Sequence, residues 1–267
     1  MQSLAPYSPA RAAQVLTGLP AADRPALWLA DQLAHAAATG PARPTGFAAL
    51  DAELPGGGWP VAGLTELLLA SPGSGELRLL APLLAQAAGS LLCIAPPFMP
   101  YAPALHALAW PLERLLIISP GSLADAAWAA EQGLRSGACA AVLWWQGDGR
   151  SPATALATAL RRLHLAAQEG SCPLFALRPA SARAQSSPAP LRLALAPAPQ
   201  GQLAVAVFKR RGPAMTAPLQ LTLPMAGTLA RRTLRRGAAS PLPPISVPPL
   251  LEPGDAVVRP APERIAA

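Results

Sequence analysis

Cysteine and long apolar runs are scarce in this sequence. The three cysteines, Cys93, Cys139 and Cys172, are widely spaced, form no C-x-x-C pair and have no histidine cluster nearby. This pattern predicts buried reduced thiols, and it argues against a disulfide framework and against a metal site. No apolar run of about 18 residues is free of Pro, Gly and charge, and the first residues lack the apolar region of a secretory signal. We therefore expect a cytoplasmic protein without membrane contact.

Acidic residues are missing from much of the second half. Between Gly170 and Leu251 there are ten cations and no Asp or Glu, whereas the rest of the chain has eleven cations and all fourteen acids. The net charge of +7 therefore combines a mildly acidic first part with a strongly basic second part. Such asymmetry is typical of a chain whose basic part contacts nucleic acid or an acidic partner. The alternative is an ordinary solvated surface in an arginine-rich protein.

Apolar residues are plentiful, with 52% hydrophobic side chains and a mean hydropathy of +0.31. From Thr45 onward, short apolar runs alternate with longer stretches of helical periodicity. The predicted strands are Leu64–Leu69, Leu91–Ala95, Leu115–Ile118, Ala140–Trp144 and Cys172–Leu177. The predicted helices between them are Glu76–Ala88, Ala102–Ala109, Leu123–Ser136 and Ala153–Glu169. This alternation predicts an α/β fold with a mostly parallel central sheet flanked by helices.

The helical pattern stops after Pro179. Three apolar runs follow, Leu191–Leu195, Gln202–Phe208 and Leu219–Leu223, and we expect them to extend the sheet as antiparallel strands. The chain is thus divided into a helical appendage (residues 1–43), a core (residues 44–226) and a basic, Pro-rich tail (residues 227–267). The tail has too little apolar material for a core, and we expect it to be disordered.

The segment 70–77 joins a buried strand to a helix through a Gly/Ser turn, which is the frame of a phosphate-binding loop. A working loop requires G-x-x-x-x-G-K-[ST], whose N–H groups surround the phosphates while the lysine contacts them and the hydroxyl holds Mg²⁺. Glu76 stands in place of the lysine and Leu77 in place of the hydroxyl. A carboxylate about 4 Å from a phosphate oxygen is repelled by about 4 kcal/mol at an effective dielectric near 20. We interpret these residues as a degenerate phosphate loop without a cofactor: Ala70, Ser71, Pro72, Gly73, Ser74, Gly75, Glu76 and Leu77.

Glu76 also suits the first turn of a helix, where an acid is stabilised by about 0.3–1 kcal/mol. We expect its carboxylate to satisfy the helix N-terminus that a phosphate would otherwise satisfy.

Two segments around this loop resemble the RecA ATPase core. Residues 44–51 (PTGFAALD) match the T-G-x-x-x-L-D start of that core, and residues 56–67 match the Gly-rich turn and the first strand. The resemblance extends to the strand ending at Trp145 and implies a RecA-like fold. At the family's catalytic glutamate and metal-ordering aspartate, this chain has Pro97 and Trp145. The resemblance therefore implies a RecA-like chain that is not an enzyme and needs no metal.

A RecA-like core with a degenerate loop, a helical N-terminus and a basic Pro-rich C-terminus resembles the bacterial ImuA family. This resemblance implies a non-catalytic adaptor of the SOS-induced translesion DNA synthesis complex. The implied partners are an ImuB-like, Y-family-related protein and an error-prone DNA polymerase, with RecA and DNA as further contacts and no small-molecule substrate. The alternative is a SulA-like cell-division inhibitor that binds FtsZ, although such chains are shorter and lack T-G-x-x-x-L-D. A third hypothesis, ranked below these two, is an ATPase with an unorthodox phosphate loop.

Basic residues are the candidates for contact with DNA or a partner. The segment 179–190 corresponds in the resemblance to a mobile DNA-binding loop of RecA-like proteins. The candidate residues are Arg183, Lys209, Arg210, Arg211, Arg231, Arg232, Arg235 and Arg236. Trp144 and Trp145 end a predicted central strand, so we expect them in the core rather than stacked on bases.

Overall fold

The computed structural model describes residues 41–147, 152–211, 215 and 217–224. The predicted tail, residues 227–267, lies outside these ranges, and so does the predicted appendage, residues 1–43, apart from its last three residues. Of those three, Ala42–Arg43 form a short strand, β1, which pairs antiparallel with Trp59–Pro60, β2. These two residues thus belong structurally with the core that follows them.

An eight-stranded sheet forms the centre of the described part. Its strands are β3 (Gly63–Leu69), β4 (Ser90–Ile94), β5 (Leu115–Ile118), β6 (Cys139–Trp145), β7 (Pro173–Pro179), β8 (Leu191–Pro197), β9 (Leu203–Lys209) and β10 (Leu219–Leu221). The spatial order is β10-β9-β8-β3-β7-β6-β4-β5. The predicted α/β class with a mostly parallel sheet is confirmed, and the first five predicted strands are correct to within two residues at each end.

Helices cover both faces of the sheet. They are α1 (Ala48–Glu53), α2 (Glu76–Leu84), α3 (Ala102–Ala107), α4 (Leu123–Arg135) and α5 (Ala153–Glu169). The first three contribute to one apolar core, and α4 and α5 contribute to the other. Helix α2 ends four residues before the predicted Ala88 and contains Pro82, which has no N–H to donate to the helix. None of the described helices is long and apolar enough to cross a membrane.

Strand β8 corrects the predicted topology. It was expected to extend the sheet as an antiparallel strand, but it pairs parallel with β3, and the antiparallel pairs of this sheet are β8–β9 and β9–β10. The reason is the connection 180–190, which leaves the carboxyl end of β7 and returns the chain to the amino end of β8. Such a crossover is what a parallel strand requires. Strand β3 is thus flanked by parallel strands on both sides.

The T-G-x-x-x-L-D motif has a structural role at the start of the core. The Thr45 N–H donates to Asp51 Oδ1 at 2.8 Å, and the Phe47 N–H donates to Thr45 Oγ1 at 3.1 Å. Gly46 has φ +89°, and a Cβ there would lie 2.5 Å from Cβ of Pro82. Only glycine readily adopts this positive φ and also leaves room for the Pro82 ring. The motif therefore places α1 directly against α2, the helix that follows the phosphate-loop segment.

The three cysteines are unbridged. Cys93 and Cys172 are buried, as expected, while Cys139 is half-buried. Burial raises the pKa of Cys93 to about 12. The pKa of Cys172 is raised to about 12 by burial and by the neighbouring Cys139. Both thiols are therefore protonated and poorly reactive at neutral pH.

Candidate functional site

The carboxylate of Glu76 occupies the centre of the phosphate-loop segment. Glu76 is the first residue of α2 and only 3% exposed. Its Oε1 accepts a hydrogen bond from the Gly73 N–H at 2.8 Å, and its Oε2 accepts one from the Gly75 N–H at 3.0 Å. Gly75 has φ +113°, a left-handed conformation suited to glycine. The side chain thus binds the backbone donors that a phosphate would use in a working loop.

The N–H groups of Ala70, Ser71 and Ser74 also have acceptors within the protein. The Ala70 N–H donates to the Leu195 carbonyl at 3.1 Å, and the Ser74 N–H donates to the Ser71 carbonyl at 3.3 Å. The Ser71 N–H donates to Ser74 Oγ at 3.3 Å. Because Pro72 has no N–H, every backbone donor from Ala70 to Gly75 is accounted for. The loop needs no bound anion to satisfy these groups.

The segment after β10 covers this loop. A Cβ at Gly75 would lie 2.7 Å from Cδ1 of Leu223, so Leu223 packs directly on the turn. Arg78 of α2 donates from Nε to the Pro224 carbonyl at 3.1 Å and from Nη2 to the Leu223 carbonyl at 3.0 Å. Residues 223 and 224 are thus fastened to the first turns of α2 by a guanidinium near the loop.

Two further positions singled out by the sequence lie at the carboxyl ends of neighbouring strands. Pro97 is exposed in the connection after β4. Trp145 ends β6, is 6% exposed and belongs to the apolar core on the α2 side, while Trp144 is 2% exposed in the opposite core. The expectation that both tryptophans pack in the core is confirmed.

A buried ionic cluster joins the three central parallel strands. Glu66 of β3 is fully buried. Its Oε1 lies 2.8 Å from Nη1 of Arg178 on β7, and its Oε2 lies 2.7 Å from Nε of Arg192 on β8. Both arginine side chains are also buried. The three charges therefore interact without water between them.

The same cluster fastens the connection 180–190. Arg178 Nη2 donates to the Gln185 side-chain carbonyl at 2.6 Å, and Arg192 Nη2 donates to the Ala182 carbonyl at 2.8 Å. Ser187 Oγ donates to Glu66 Oε1 at 2.6 Å. The segment that the resemblance associates with a mobile DNA-binding loop is thus anchored by several hydrogen bonds. This cluster was not predicted from the sequence, although charged residues within apolar strands were the available signal.

The candidate DNA-contacting cations have partners within the protein. The Arg183 guanidinium lies 4.6 Å from the centre of the Phe208 ring. Lys209 Nζ donates to the Ser187 carbonyl at 2.8 Å, and Arg210 Nη1 lies 2.6 Å from Glu53 Oε2. Arg211 is exposed and lines a cavity at the amino ends of β3 and β8, whereas the phosphate-loop segment follows the carboxyl end of β3. The other four candidates, Arg231, Arg232, Arg235 and Arg236, lie outside the described residues.

Replacing Glu66 tests the ionic cluster. Glu66→Gln leaves two buried guanidinium groups without a counter-charge, so we expect the free energy of unfolding to fall by about 3–5 kcal/mol. Urea denaturation followed by circular dichroism measures this. The control is Glu113→Gln, whose exposed side chain should change stability by less than about 0.5 kcal/mol. A loss below about 1 kcal/mol for the Glu66 variant would contradict the proposed role of the cluster.

Replacing Glu76 tests the internal anion. Glu76→Ala leaves the Gly73 and Gly75 N–H groups without acceptors, and we expect a loss of about 1–3 kcal/mol in unfolding free energy. The emptied loop should then bind inorganic pyrophosphate, which should raise the melting temperature of the variant but not of the native chain. Glu113→Ala is the exposed control. An equal rise in the native chain would show that Glu76 does not occupy the anion position.

His164 gives a pH-dependent contribution to stability. Burial and the positive charge of Lys209 lower its pKa from the usual 6.5. The unfolded chain therefore takes up this proton at higher pH, so the stabilisation is complete above about pH 6.5 and is lost as pH falls through the lowered pKa. In urea unfolding across this range, His164→Gln should lose less stability than the native chain, while the exposed His106→Gln control should follow the native chain. Identical pH profiles for the native chain and the His164 variant would contradict this assignment.

Comparison with known proteins does not show a family for this chain. No protein-family model matches the sequence, and no curated protein matches it. The function is therefore inferred from the chain's own residues, chiefly the loop whose donors Glu76 binds, the anchored connection 180–190 and the exposed apolar surfaces of the described residues.

Proposed function

We propose that this chain is a non-catalytic adaptor of a cytoplasmic, SOS-induced translesion DNA synthesis complex. Its partners are an ImuB-like protein and, through the assembled complex, an error-prone DNA polymerase, with RecA and DNA as further contacts. The resemblance of the T-G-x-x-x-L-D and phosphate-loop segments to the RecA core supports this proposal. The Glu76 carboxylate supports the non-catalytic part, because it fills the anion position and would repel a nucleotide phosphate.

The observation that carries the adaptor function is the edge strand β5, whose outer side no described strand covers. It pairs with β4 on one side, and no described strand pairs with its other edge. Leu116 is 51% exposed and Ile117 is 37% exposed, and their side chains project to opposite faces of the sheet. Proteins normally protect such an edge with charge, a bulge or a covering element. An apolar edge that no described strand covers is therefore suited to receive an extended strand from a partner.

A second apolar surface continues from the neighbouring strand. Phe98, Met99 and Tyr101, in the connection after β4, are 73%, 76% and 72% exposed. Tyr101 also lines an apolar cavity of about 280 Å³ beside the phosphate-loop segment, together with Leu77 and Leu105. Clustered exposed apolar side chains are typical of protein interaction sites. We infer that the partner contacts the β5 edge and this connection together.

Direct contact with DNA has weaker support within the described residues. Arg183, Lys209 and Arg210 are engaged with Phe208, Ser187 and Glu53 respectively. The proposed DNA contact therefore depends mainly on the four arginines between residues 231 and 236.

A charge on the edge strand tests the adaptor function. Leu116→Lys places a charge on the uncovered strand, so we expect affinity for the ImuB-like protein of the same organism to fall at least about tenfold, or roughly 1.4 kcal/mol. The control is Leu165→Lys on α5, because Leu165 is 56% exposed and lies on a helix. Affinities are measured by calorimetry with the purified full-length proteins.

Two results would overturn the proposal. One is an equal effect of both substitutions, since the edge strand would then have no special role. The other is capture of FtsZ instead of the ImuB-like protein, which would favour the SulA-like alternative.

A further inference from the structure

The cavity of about 280 Å³ beside the phosphate-loop segment has an apolar interior. The apolar residues that line it are Leu77, Pro100, Tyr101, Ala104, Leu105 and Leu108. Glu76 and Arg78 also line it, and both are engaged within the protein. Glu76 accepts hydrogen bonds from two N–H groups of the loop, and Arg78 donates to the Leu223 and Pro224 carbonyls. An occupant of this cavity is therefore recognised by apolar contact rather than by charge.

The described part of the chain ends beside this cavity. Gly75 lines the cavity, and a Cβ on Gly75 would lie 2.7 Å from Cδ1 of Leu223. Arg78 lines it too, and its Nε donates to the Pro224 carbonyl at 3.1 Å. The residues that follow Pro224 therefore start from a point that is fixed next to the cavity.

A segment of matching chemistry follows in the sequence. Residues 241–251, PLPPISVPPLL, include five prolines, five aliphatic side chains and no charge. Proline-rich sequences favour the polyproline II conformation, which loses little entropy on binding and is recognised by grooves with aromatic walls. Tyr101, which is 72% exposed, supplies such a wall. The preceding residues, 225–240, match the cavity less well because they include four arginines.

The connection is long enough for this segment to return to the cavity. Sixteen residues, 225–240, separate Pro224 from Pro241. An extended chain spans about 3.3–3.6 Å per residue, so the limit is roughly 50–60 Å, whereas the cavity lies at the start of the connection. A tethered segment also meets its site at an effective concentration on the order of millimolar, so that even a weak contact is well populated.

We propose that residues 241–251 bind in this cavity within the same chain. Their aliphatic side chains pack against Leu105 and Leu108, and their proline rings pack against Tyr101. Tyr101 also belongs to the apolar surface assigned above to the ImuB-like partner, so the segment and the partner exclude each other. The segment is then an autoinhibitory element. This second step rests on the proposed function, whereas the binding of the segment does not.

Photo-crosslinking of the full-length protein tests the contact. Benzoylphenylalanine in place of Tyr101 keeps an aromatic ring at the cavity, and the crosslinked peptides are identified by mass spectrometry. We expect crosslinks to residues 241–251 whose yield is independent of protein concentration. The matched control is benzoylphenylalanine in place of Trp128, which is 63% exposed on α4. Its yield should be at least about tenfold lower, because the effective concentration of the segment is high only near its site.

Two substitutions test the apolar character of the contact. Ala104→Lys adds a charge to the cavity wall, and Ile245→Lys adds one to the segment. Each should lower the yield from position 101 at least about tenfold, because a charge is costly to bury without a partner. Ala124→Lys, at an exposed position of α4, should leave the yield unchanged. Circular dichroism verifies that each variant is folded, and the Ile245 variant alone decides the test if the Ala104 variant does not fold.

Three outcomes would overturn the binding of the segment. The first is a yield at residues 241–251 that is no higher from position 101 than from position 128. The second is a yield that rises with protein concentration, which would assign the cavity to a second copy of the chain. The third is crosslinking to other residues in place of 241–251.

Addition of the ImuB-like protein tests the autoinhibitory step. Saturation with this partner should lower the yield from position 101, and Ile245→Lys should raise the affinity for the partner because it removes the competitor. Partner binding that leaves both quantities unchanged would overturn the competition, although the crosslinks would still report the bound segment. Failure of the partner to bind both the native chain and the Ile245 variant would instead overturn the proposed function, and the competition with it.

Discussion

The fully buried Glu66 carboxylate is the interaction on which the centre of the sheet depends. It lies between guanidinium groups on the two strands that flank β3, at 2.8 Å and 2.7 Å. Removing charges from water is costly, so each buried arginine requires its counter-charge and the hydrogen bonds around it. Those hydrogen bonds extend to Gln185 and to the Ala182 carbonyl. One acid therefore holds the strand pairing on both sides of β3 and also the connection that makes β8 parallel.

Glu76, ten residues later in the chain, has a different electrostatic role, because its carboxylate accepts hydrogen bonds from backbone N–H groups rather than from arginine side chains. The turn before α2 directs several N–H groups toward one point, a geometry that favours an anion. Its carboxylate supplies that anion from within the chain, and Leu223 packs over the turn. The loop can therefore keep the geometry of a phosphate site without a ligand. The shape of such a turn is thus poor evidence for bound phosphate, and the first residue of the helix that follows it is better evidence.

The sequence predicted the alternation of strands and helices well, because continuous apolar runs and helical periodicity are local signals. It did not predict the direction of β8, since Leu191–Leu195 looks the same in a parallel or an antiparallel strand. It also counted Arg178 and Arg192 among the cations of the basic second half, because counting charges does not separate exposed residues from buried ones. A more informative signal was available. Glu66, Arg178 and Arg192 each interrupt an apolar strand, and a charge in that position requires a partner. The cavity beside Tyr101 is lined by residues from separate parts of the sequence, so no local pattern indicates it.

The buried cluster also reduces the number of cations available to nucleic acid. Ten cations without an acid between Gly170 and Leu251 suggested a broad basic surface. Two of them, Arg178 and Arg192, are buried and form ion pairs with Glu66, and Arg210 is paired with Glu53. Lys209 is hydrogen-bonded to a carbonyl of the connection 180–190. Much of the charge asymmetry therefore stabilises the fold rather than attracting phosphate. The most prominent features of the described surface are apolar: the β5 edge and the connection after β4. Such surfaces recognise protein more readily than DNA.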